Sequence, residues 1–344
     1  MPVTVVVGGQ FGGEGKGKVA HFLAKEMHAR IAIRVGGTNS GHTVIDPQTD
    51  QPLILRQLPT AAILPDIACV LGAGAYINPE ILFAELAQTG LSKDRLLIDP
   101  NAMVITEQDI RDEENSSLRK SIGSTLSGTG SAVKRRISRD PSVKLAKDDD
   151  RLQQFINPVL SFLRDNLLTG ERVIIEGTQG FGLSLLHTPY YPYTTSRDTN
   201  SAAFVSEAGL SPLDVDDIVM VLRTFPIRVG GNSGPLPHEV EWDTVAQESD
   251  SPQQVVEFTS VTKTIRRVAR FDAELVRQAI SINRPTRIVC NHLDYIDANY
   301  QISKKVRAFV EKTESELGRT IDYLGFGPAS LENRQRVFEE VRIR

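Results

Sequence analysis

The residues best suited to chemistry stand near the start of the chain, in Gly8-Gly9-Gln10-Phe11-Gly12-Gly13-Glu14-Gly15-Lys16-Gly17-Lys18. Glycines let backbone N–H groups turn toward a ligand, and Lys16 and Lys18 add full positive charges. The β-branched run Val3 to Val7 precedes this loop and the apolar-sided stretch Val19 to Lys25 follows it, so the loop joins a buried strand to the start of a helix. A helix N-terminus adds partial positive charge, and the whole forms an anion site suited to nucleotide phosphates. Its one Gly-x4-Gly-Lys register, Gly12 to Lys18, ends in Val19 where a Mg²⁺-binding Ser or Thr belongs, so it departs from the usual phosphate-binding sequence. A turn that only reverses the chain is the plain alternative; the preceding strand and the two lysines weigh against it.

A second polar glycine loop, Gly36-Gly37-Thr38-Asn39-Ser40-Gly41-His42-Thr43, follows the strand-like Arg30 to Val35. Two strands joined by a crossover helix place both loops at one edge of a parallel sheet, where α/β proteins bind ligands. His42, flanked by Gly41 and Thr43 and not by apolar residues, suits general acid work through its near-neutral pKa. Further along, Ser121 to Ser131 precedes the cations Lys134, Arg135, Arg136 and Arg139, which suit either a second phosphate or a solvated basic turn. Gln179, in Gly177-Thr178-Gln179-Gly180 at the end of the strand-like Arg172 to Glu176, could hold a substrate carbonyl or cap the sheet. Thr259 to Arg267 mixes hydroxyls with cations as a carboxylate site would. Asp294, just past the strand-like Arg287 to Cys290, can accept from the donor edge of a purine.

The elements that must position these residues read as one α/β domain spanning 1–344, with a mostly parallel central sheet flanked by helices. Further strands are predicted at Leu53 to Arg56, Cys69 to Gly72 and Ile218 to Leu222. Helices are predicted from Pro79, over Arg151 to Leu167, over Gln301 to Leu317, and after Pro328. No linker, internal repeat or low-complexity tract interrupts them. A net charge of −4 with 24% charged residues gives no global basic field, so a nucleic-acid partner is not expected. No apolar run is of membrane-spanning length and no leader precedes the first strand, so a cytoplasmic protein is expected. Cys69 and Cys290, each in an apolar context, suit reduced core thiols.

Taken together, GGEGKGK, the loop ending Gly41-His42-Thr43, Glu176-Gly177-Thr178-Gln179-Gly180, Tyr191-Pro192-Tyr193-Thr194-Thr195-Ser196 and the late Leu293-Asp294 resemble adenylosuccinate synthetase, especially its short archaeal-type form. The motifs run in the same order along nearly the whole chain, and the resemblance implies a P-loop-like α/β fold. In that family a nucleoside triphosphate, usually GTP, phosphorylates O6 of IMP, and the amino group of L-aspartate then displaces phosphate. The resemblance makes Gly12, Gly13, Glu14, Gly15, Lys16, Gly17 and Lys18 the donor-phosphate cradle, with Gly41, His42 and Thr43 beside it. Asn291, Asp294 and Gly327 would meet the donor base. His42 would support transfer to O6, aided by Gln179 and Lys16. Asn39, Ser124, Thr125, Thr195 and Arg139 would hold the substrate nucleotide together with Gly13 and Gln179, Arg139 reaching across a homodimer interface. Thr262, Thr264 and Arg266 would bind aspartate. The carbonyls of Gly13 and Gly41 would face Mg²⁺.

Three departures from the family pattern matter. Most members carry an aspartate where this chain has Gly13, and that carboxylate takes the N1 proton of IMP. Thr264 stands where an arginine contacts the ribose 2′-hydroxyl and aspartate, and His292 replaces a lysine in the donor-base motif, which leaves ATP against GTP open. Losing the carboxylate is expected to open room for an exocyclic 2-amino group, and losing the arginine removes a reason to require the 2′-hydroxyl. This combination resembles the phage branch of the family, the 2-aminoadenylosuccinate synthetases, which act on dGMP. An ordinary IMP-dependent synthetase and an inactive nucleotide-binding protein are the rivals. A signalling GTPase is poorly served by Val19 and His292.

Overall fold

A computed structural model describes residues 2–259 and 263–343. Its centre is the strand Val3–Gly8, five of whose residues are β-branched or apolar enough to be buried on either face. It pairs in parallel with Val173–Glu176 on one side and Val215–Arg223 on the other. Outward from the first lie Ile31–Arg34, Ala68–Leu71 and Leu96–Ile98; outward from the second lie Arg287–Asn291, Tyr323–Phe326 and Ser330–Asn333. Only the last strand of this nine-stranded sheet runs antiparallel.

Alternation along the strands divides the core in two. Val3, Val5, Val7, Ile33 and Ile175 face one cluster, with Met220, Leu222 and Cys290. Val6, Ala32, Ile174, Val219 and Val289 face the other, with Cys69. Burial on both faces is the reason these strands read as continuous apolar runs. Both cysteines are free and buried. Among the described residues no helix is long and apolar enough to cross a membrane.

The predicted elements largely form, with instructive shifts. The stretch Arg151 to Leu167 is not one helix: a short 3₁₀ turn, Gln153–Phe155, is separated from the helix Val159–Leu168 by Pro158, whose ring restrains the residue before it to extended backbone. The late helix starts at Lys304, where the Ser303 side chain accepts from the Val306 N–H. After Pro328 the chain first adds the edge strand Ser330–Asn333, and its helix begins only at Arg334. His42 does not sit in a free loop: it opens the strand His42–Ile45, which hairpins with Pro52–Leu55. The first helix, Lys16–Glu26, begins inside the glycine loop itself, with Gly15 in the left-handed region at φ 87°.

Candidate active site

The C-terminal ends of the parallel strands open into one cavity of about 1140 Å³. It gathers Gly12, Gly13, Gly15, Lys16, Gly17 and Lys18 from the first loop and Asn39, Gly41, His42 and Thr43 from the second. Ser124, Thr125, Gln179, Thr195, Arg266, Asp294 and Gly327 complete the group. The side chains of Glu14, Asn291 and Thr264 do not line it, and neither does Arg139, which is exposed with φ 56°. Thr262 lies outside the described residues.

The glycine loop is held from within. Buried Glu14 accepts from the N–H of Gln10 at 3.1 Å and of Gly12 at 2.8 Å with one oxygen. Its other oxygen pairs with Lys16 Nζ at 2.7 Å. Asn291 Nδ2 donates to the Glu14 carbonyl at 2.8 Å, fastening the loop to the strand that leads to Asp294. Glu14 and Asn291 therefore shape the cradle from behind. Lys18 is also spoken for: its ammonium donates to the carbonyls of Gly327 and Ser330, both at 3.0 Å, and burial lowers its pKa to about 8. It ties the C-terminal hairpin to the cradle, and Lys16 is left as the lysine beside the phosphate position.

His42 is buried, and its Nδ1 lies 2.6 Å from Glu176 Oε1. The same carboxylate takes Arg34 Nη1 at 2.7 Å, and the Thr60 N–H and hydroxyl at 2.8 and 2.7 Å. Burial would raise the Glu176 carboxyl, but His42 and Arg34 outweigh it and hold the group at about 2. Burial and the Arg34 charge push His42 down to about 4, so at neutral pH its imidazole is uncharged. With Nδ1–H given to Glu176, Nε2 carries the lone pair, and an anion arriving beside it favours proton uptake there. In the sequence Glu176 reads as the end of a strand. The motif Glu-Gly-Thr-Gln-Gly contained the signal, but the partner is 134 residues away.

Gln179 lines the cavity with φ 66°, a conformation unfavourable for a residue with a Cβ and one that concentrates at functional sites. Buried polar atoms without a partner include Thr38 Oγ1, Asn39 Oδ1 and Ser40 Oγ, three in succession at the rim of the second loop. Such a run is costly unless a ligand completes it. The basic segment behaves differently: Arg135 is locked to Asp109 at 2.7 Å, and Arg136 donates to the Asn101 carbonyl at 3.0 Å. The helix Thr129–Ile137 already has an anion at its N-terminus, because Glu113 accepts from the N–H of Gly128, Gly130 and Ser131. A second phosphate here would meet the hydroxyls of Ser124 and Thr125 and not that helix end.

The floor of the cavity is a cluster in which Arg223, Glu257 and Tyr295 carry no signal in the sequence and join His292 and Asp294, which do. Arg223, wholly buried at the end of its strand, donates from Nη1 to the Gly13 carbonyl at 2.9 Å and pairs through Nη2 with Glu257. Tyr295 donates its hydroxyl to Glu257 at 2.8 Å, and Arg223 stacks 5.7 Å from its ring. His292, in the left-handed region at φ 61°, is lowered to about 3 by burial and by Arg223. Asp294 accepts from the Gly327 N–H at 2.8 Å with one oxygen.

Gly13 itself corrects an expectation. At its φ of 70° a Cβ would lie 2.6 Å from Ile227 Cδ1, and 3.4 Å from Arg223 Nη1. The space vacated by the usual side chain is thus closed by Ile227, which is 1% exposed, and not left open for a substituent. What faces the cavity at position 13 is exposed backbone.

The adenylosuccinate synthetase family model matches residues 5–147 and 142–303. The chain belongs to the adenylosuccinate synthetase family. It is 36% identical to the Methanocaldococcus jannaschii adenylosuccinate synthetase over 339 residues, covering 95% of each chain, and 36% identical to that of Pyrococcus horikoshii, covering 95% and 96%. Among solved structures, the cyanophage S-2L succinoaminodeoxyadenylate synthetase, bound to dGMP and to dATP as an energy donor, is 27% identical with a TM-score of 0.84, covering 100% of this chain and 99% of that one. The Plasmodium falciparum adenylosuccinate synthetase, at 20% identity and a TM-score of 0.84 over 97% of this chain and 100% of its own, shares the fold. The protein is accordingly a purine-nucleotide C–N ligase of the adenylosuccinate synthetase type.

The family implies Mg²⁺. Among the described residues no group of three or more His, Cys, Asp or Glu could hold a metal ion, so the ion would rest on phosphate oxygens with a backbone carbonyl. Gly41, at the cavity beside Lys16 and His42, fits that part; the Gly13 carbonyl is occupied by the Arg223 guanidinium, which disfavours a cation. When bound, Mg²⁺ would neutralise charge on the donor phosphates.

Proposed function

We propose that this synthetase joins L-aspartate to C6 of dGMP through a 6-phosphoryl intermediate, giving 2-amino-2′-deoxy-N6-succinyl-AMP. O6 of the base attacks the γ-phosphorus of ATP or GTP, releasing the diphosphate, and the aspartate amine then displaces phosphate from C6. Lys16 and the Gly12–Lys18 backbone hold the donor phosphates. His42, oriented by Glu176, meets the transferring group, and Gln179 the purine oxygen.

Gly13 is the observation that carries this reading. An inactive descendant that had lost a carboxylate would keep a hole beside the loop; here Ile227 and Arg223 pack against a backbone conformation that favours glycine. The position is built without a side chain, so a purine edge there meets exposed backbone and no carboxylate that would select against a 2-amino group. Thr264, hydrogen-bonded through its N–H to Thr259 Oγ1 at 3.0 Å, does not line the cavity, so it offers nothing there to select a ribose hydroxyl. The likeness to a synthetase solved with dGMP and dATP supports the same substrate, and His292 in place of lysine supports relaxed donor choice. Arg139, exposed and remote from this chain's cavity, would complete the substrate-phosphate site of a partner in a homodimer.

The archaeal relatives favour the second reading, in which IMP is the acceptor. Purified protein with aspartate, Mg²⁺ and ATP or GTP is offered dGMP and IMP separately, and succinyl-nucleotide formation is followed. Higher kcat/KM with dGMP supports the proposal; preference for IMP overturns it in favour of the ordinary synthetase.

A further inference from the structure

The amino-acid substrate of a reaction at this cavity carries an ammonium as well as two carboxylates, and the carboxylates have obvious cationic partners in Lys263 and Arg266. A partner for the ammonium has to be an anion that faces the cavity with acceptor capacity to spare. Among the described residues three carboxylates line it: Glu113, Glu257 and Asp294. Glu113 is consumed by three backbone N–H groups at the start of a helix, far from the cations of the 263–266 turn in sequence and function. Asp294 accepts from Gly327 at the end of the strand that leads to the donor-base position. Glu257 remains.

We propose that Glu257 is the subsite for the α-ammonium of aspartate, with Arg223 as the positioning residue that holds it there. The proposal rests on the reading that Lys263 and Arg266 receive the carboxylates of the amino acid. Glu257 Oε1 is fully used, accepting from Arg223 Nη2 and from the Tyr295 hydroxyl. Among the described residues, Oε2 has a long contact with Arg223 Nη1 at 3.4 Å and stands 4.0 Å from Arg266 Nε. That oxygen keeps room for a charge-assisted donor. Glu257 lines the cavity and is 23% exposed, while its anchor Arg223 is wholly buried. Burial would raise the Glu257 carboxyl, but Arg223, His292 and Arg266 hold it at about 2, so it is an anion throughout the working range. Its place next to Arg266 matches an α-amino acid, whose ammonium and carboxylates sit a few bonds apart. The role is binding of the incoming ammonium; the nitrogen gives up a proton to water before it attacks C6, and Glu257 takes no part in that transfer.

The test separates recognition of the ammonium from support of the loop. In Glu257→Gln the KM for aspartate should rise on the order of 10- to 100-fold, the value of one charge-assisted hydrogen bond. Competitive inhibition by succinate, which has the two carboxylates and no ammonium, should change less than about twofold by the same reasoning. The KM for either nucleotide should rise much less than that for aspartate, any rise reporting the loosened contact between Arg223 and the Gly13 carbonyl. An unchanged aspartate KM, or aspartate and succinate weakened in parallel, overturns the proposal, since a merely structural glutamate would affect both. Glu257→Asp, which keeps the charge, should recover part of the aspartate affinity, and failure to recover any counts against it. A calorimetric titration of aspartate and succinate into wild-type protein loaded with dGMP or IMP and a non-hydrolysable ATP analogue reads the same preference without turnover. Wild-type protein that binds both acids alike overturns the subsite whichever nucleotide is accepted, whereas a preference for IMP overturns only the acceptor reading.

Discussion

Restoring an acid at position 13 is the sharpest perturbation of this site. In Gly13→Asp the new Cβ must exist at φ 70°, which costs an L-residue about 1–2 kcal/mol. It would also lie 2.6 Å from Ile227 Cδ1, roughly 1 Å inside ordinary contact, and displacing a buried isoleucine by that much costs about 1–3 kcal/mol. If both fall on the loop conformation that cradles the donor phosphates, the competent state loses about 2–5 kcal/mol, or roughly 30-fold to a few thousand-fold in kcat/KM. The backbone cost is common to Gly13→Ala, so the alanine variant isolates the carboxylate. Succinyl-nucleotide formation is measured with dGMP and IMP for both variants, alongside thermal unfolding. Trimming the obstruction in Gly13→Ala/Ile227→Val should return about the overpacking share and leave the strain. Wild-type turnover and melting in Gly13→Ala would refute the steric account, and unchanged dGMP turnover in Gly13→Asp would refute the account of the pocket.

Glu176→Gln should abolish most activity by freeing the His42 ring, and should destabilise the fold by about 3–5 kcal/mol because Arg34 is left buried without its partner; kcat and urea unfolding check both, and a stable, active variant would sink the orienting role. The same carboxylate, held at about 2 in the fold against an ordinary value of 4.5, contributes stability that is complete above pH 4.5 and is lost as pH falls toward 2. The stability gap between wild type and Glu176→Gln should therefore close over that window, and a gap independent of pH would contradict it. Lys18→Met should raise the KM for the donor and blur choice of its base while leaving the substrate-nucleotide KM alone, whereas Lys16→Met should depress kcat; equal effects of the two would restore Lys18 to the phosphates. Chelation of Mg²⁺ should stop turnover without lowering the unfolding temperature in the absence of nucleotide, since no acidic cluster among the described residues depends on a cation.

Much of the sheet was legible because its strands are buried on both faces and so read as unbroken β-branched runs: Val3 to Val7 and Ile218 to Leu222 could be placed by composition alone. The two glycine loops were legible for the same reason that they function, since each follows a strand that ends at the ligand edge. Pairings across long sequence distances were not. Nothing near His42 announces Glu176, nothing near Gly13 announces Ile227 or Arg223, and Arg223 and Glu257 looked like ordinary charged residues until the fold set them against one another. Lys18 lines the cavity as its place in a phosphate-binding pattern suggests, but the pattern does not announce its two carbonyl partners, Gly327 and Ser330. Pro158 was visible throughout, but the apolar spacing around it outweighed the break it makes.

The first strand sits in the middle of the sheet, between neighbours that the ribosome supplies some 170 and 210 residues later. Its pairing closes loops of that length, which places this protein among slowly assembling topologies. Because the phosphate cradle hangs from that strand and is clasped by Lys18 to the hairpin near residue 330, neither end of the chain can build a nucleotide pocket by itself. Nucleotide affinity should accordingly emerge only after residue 330 has left the ribosome, as a late property of the folding chain.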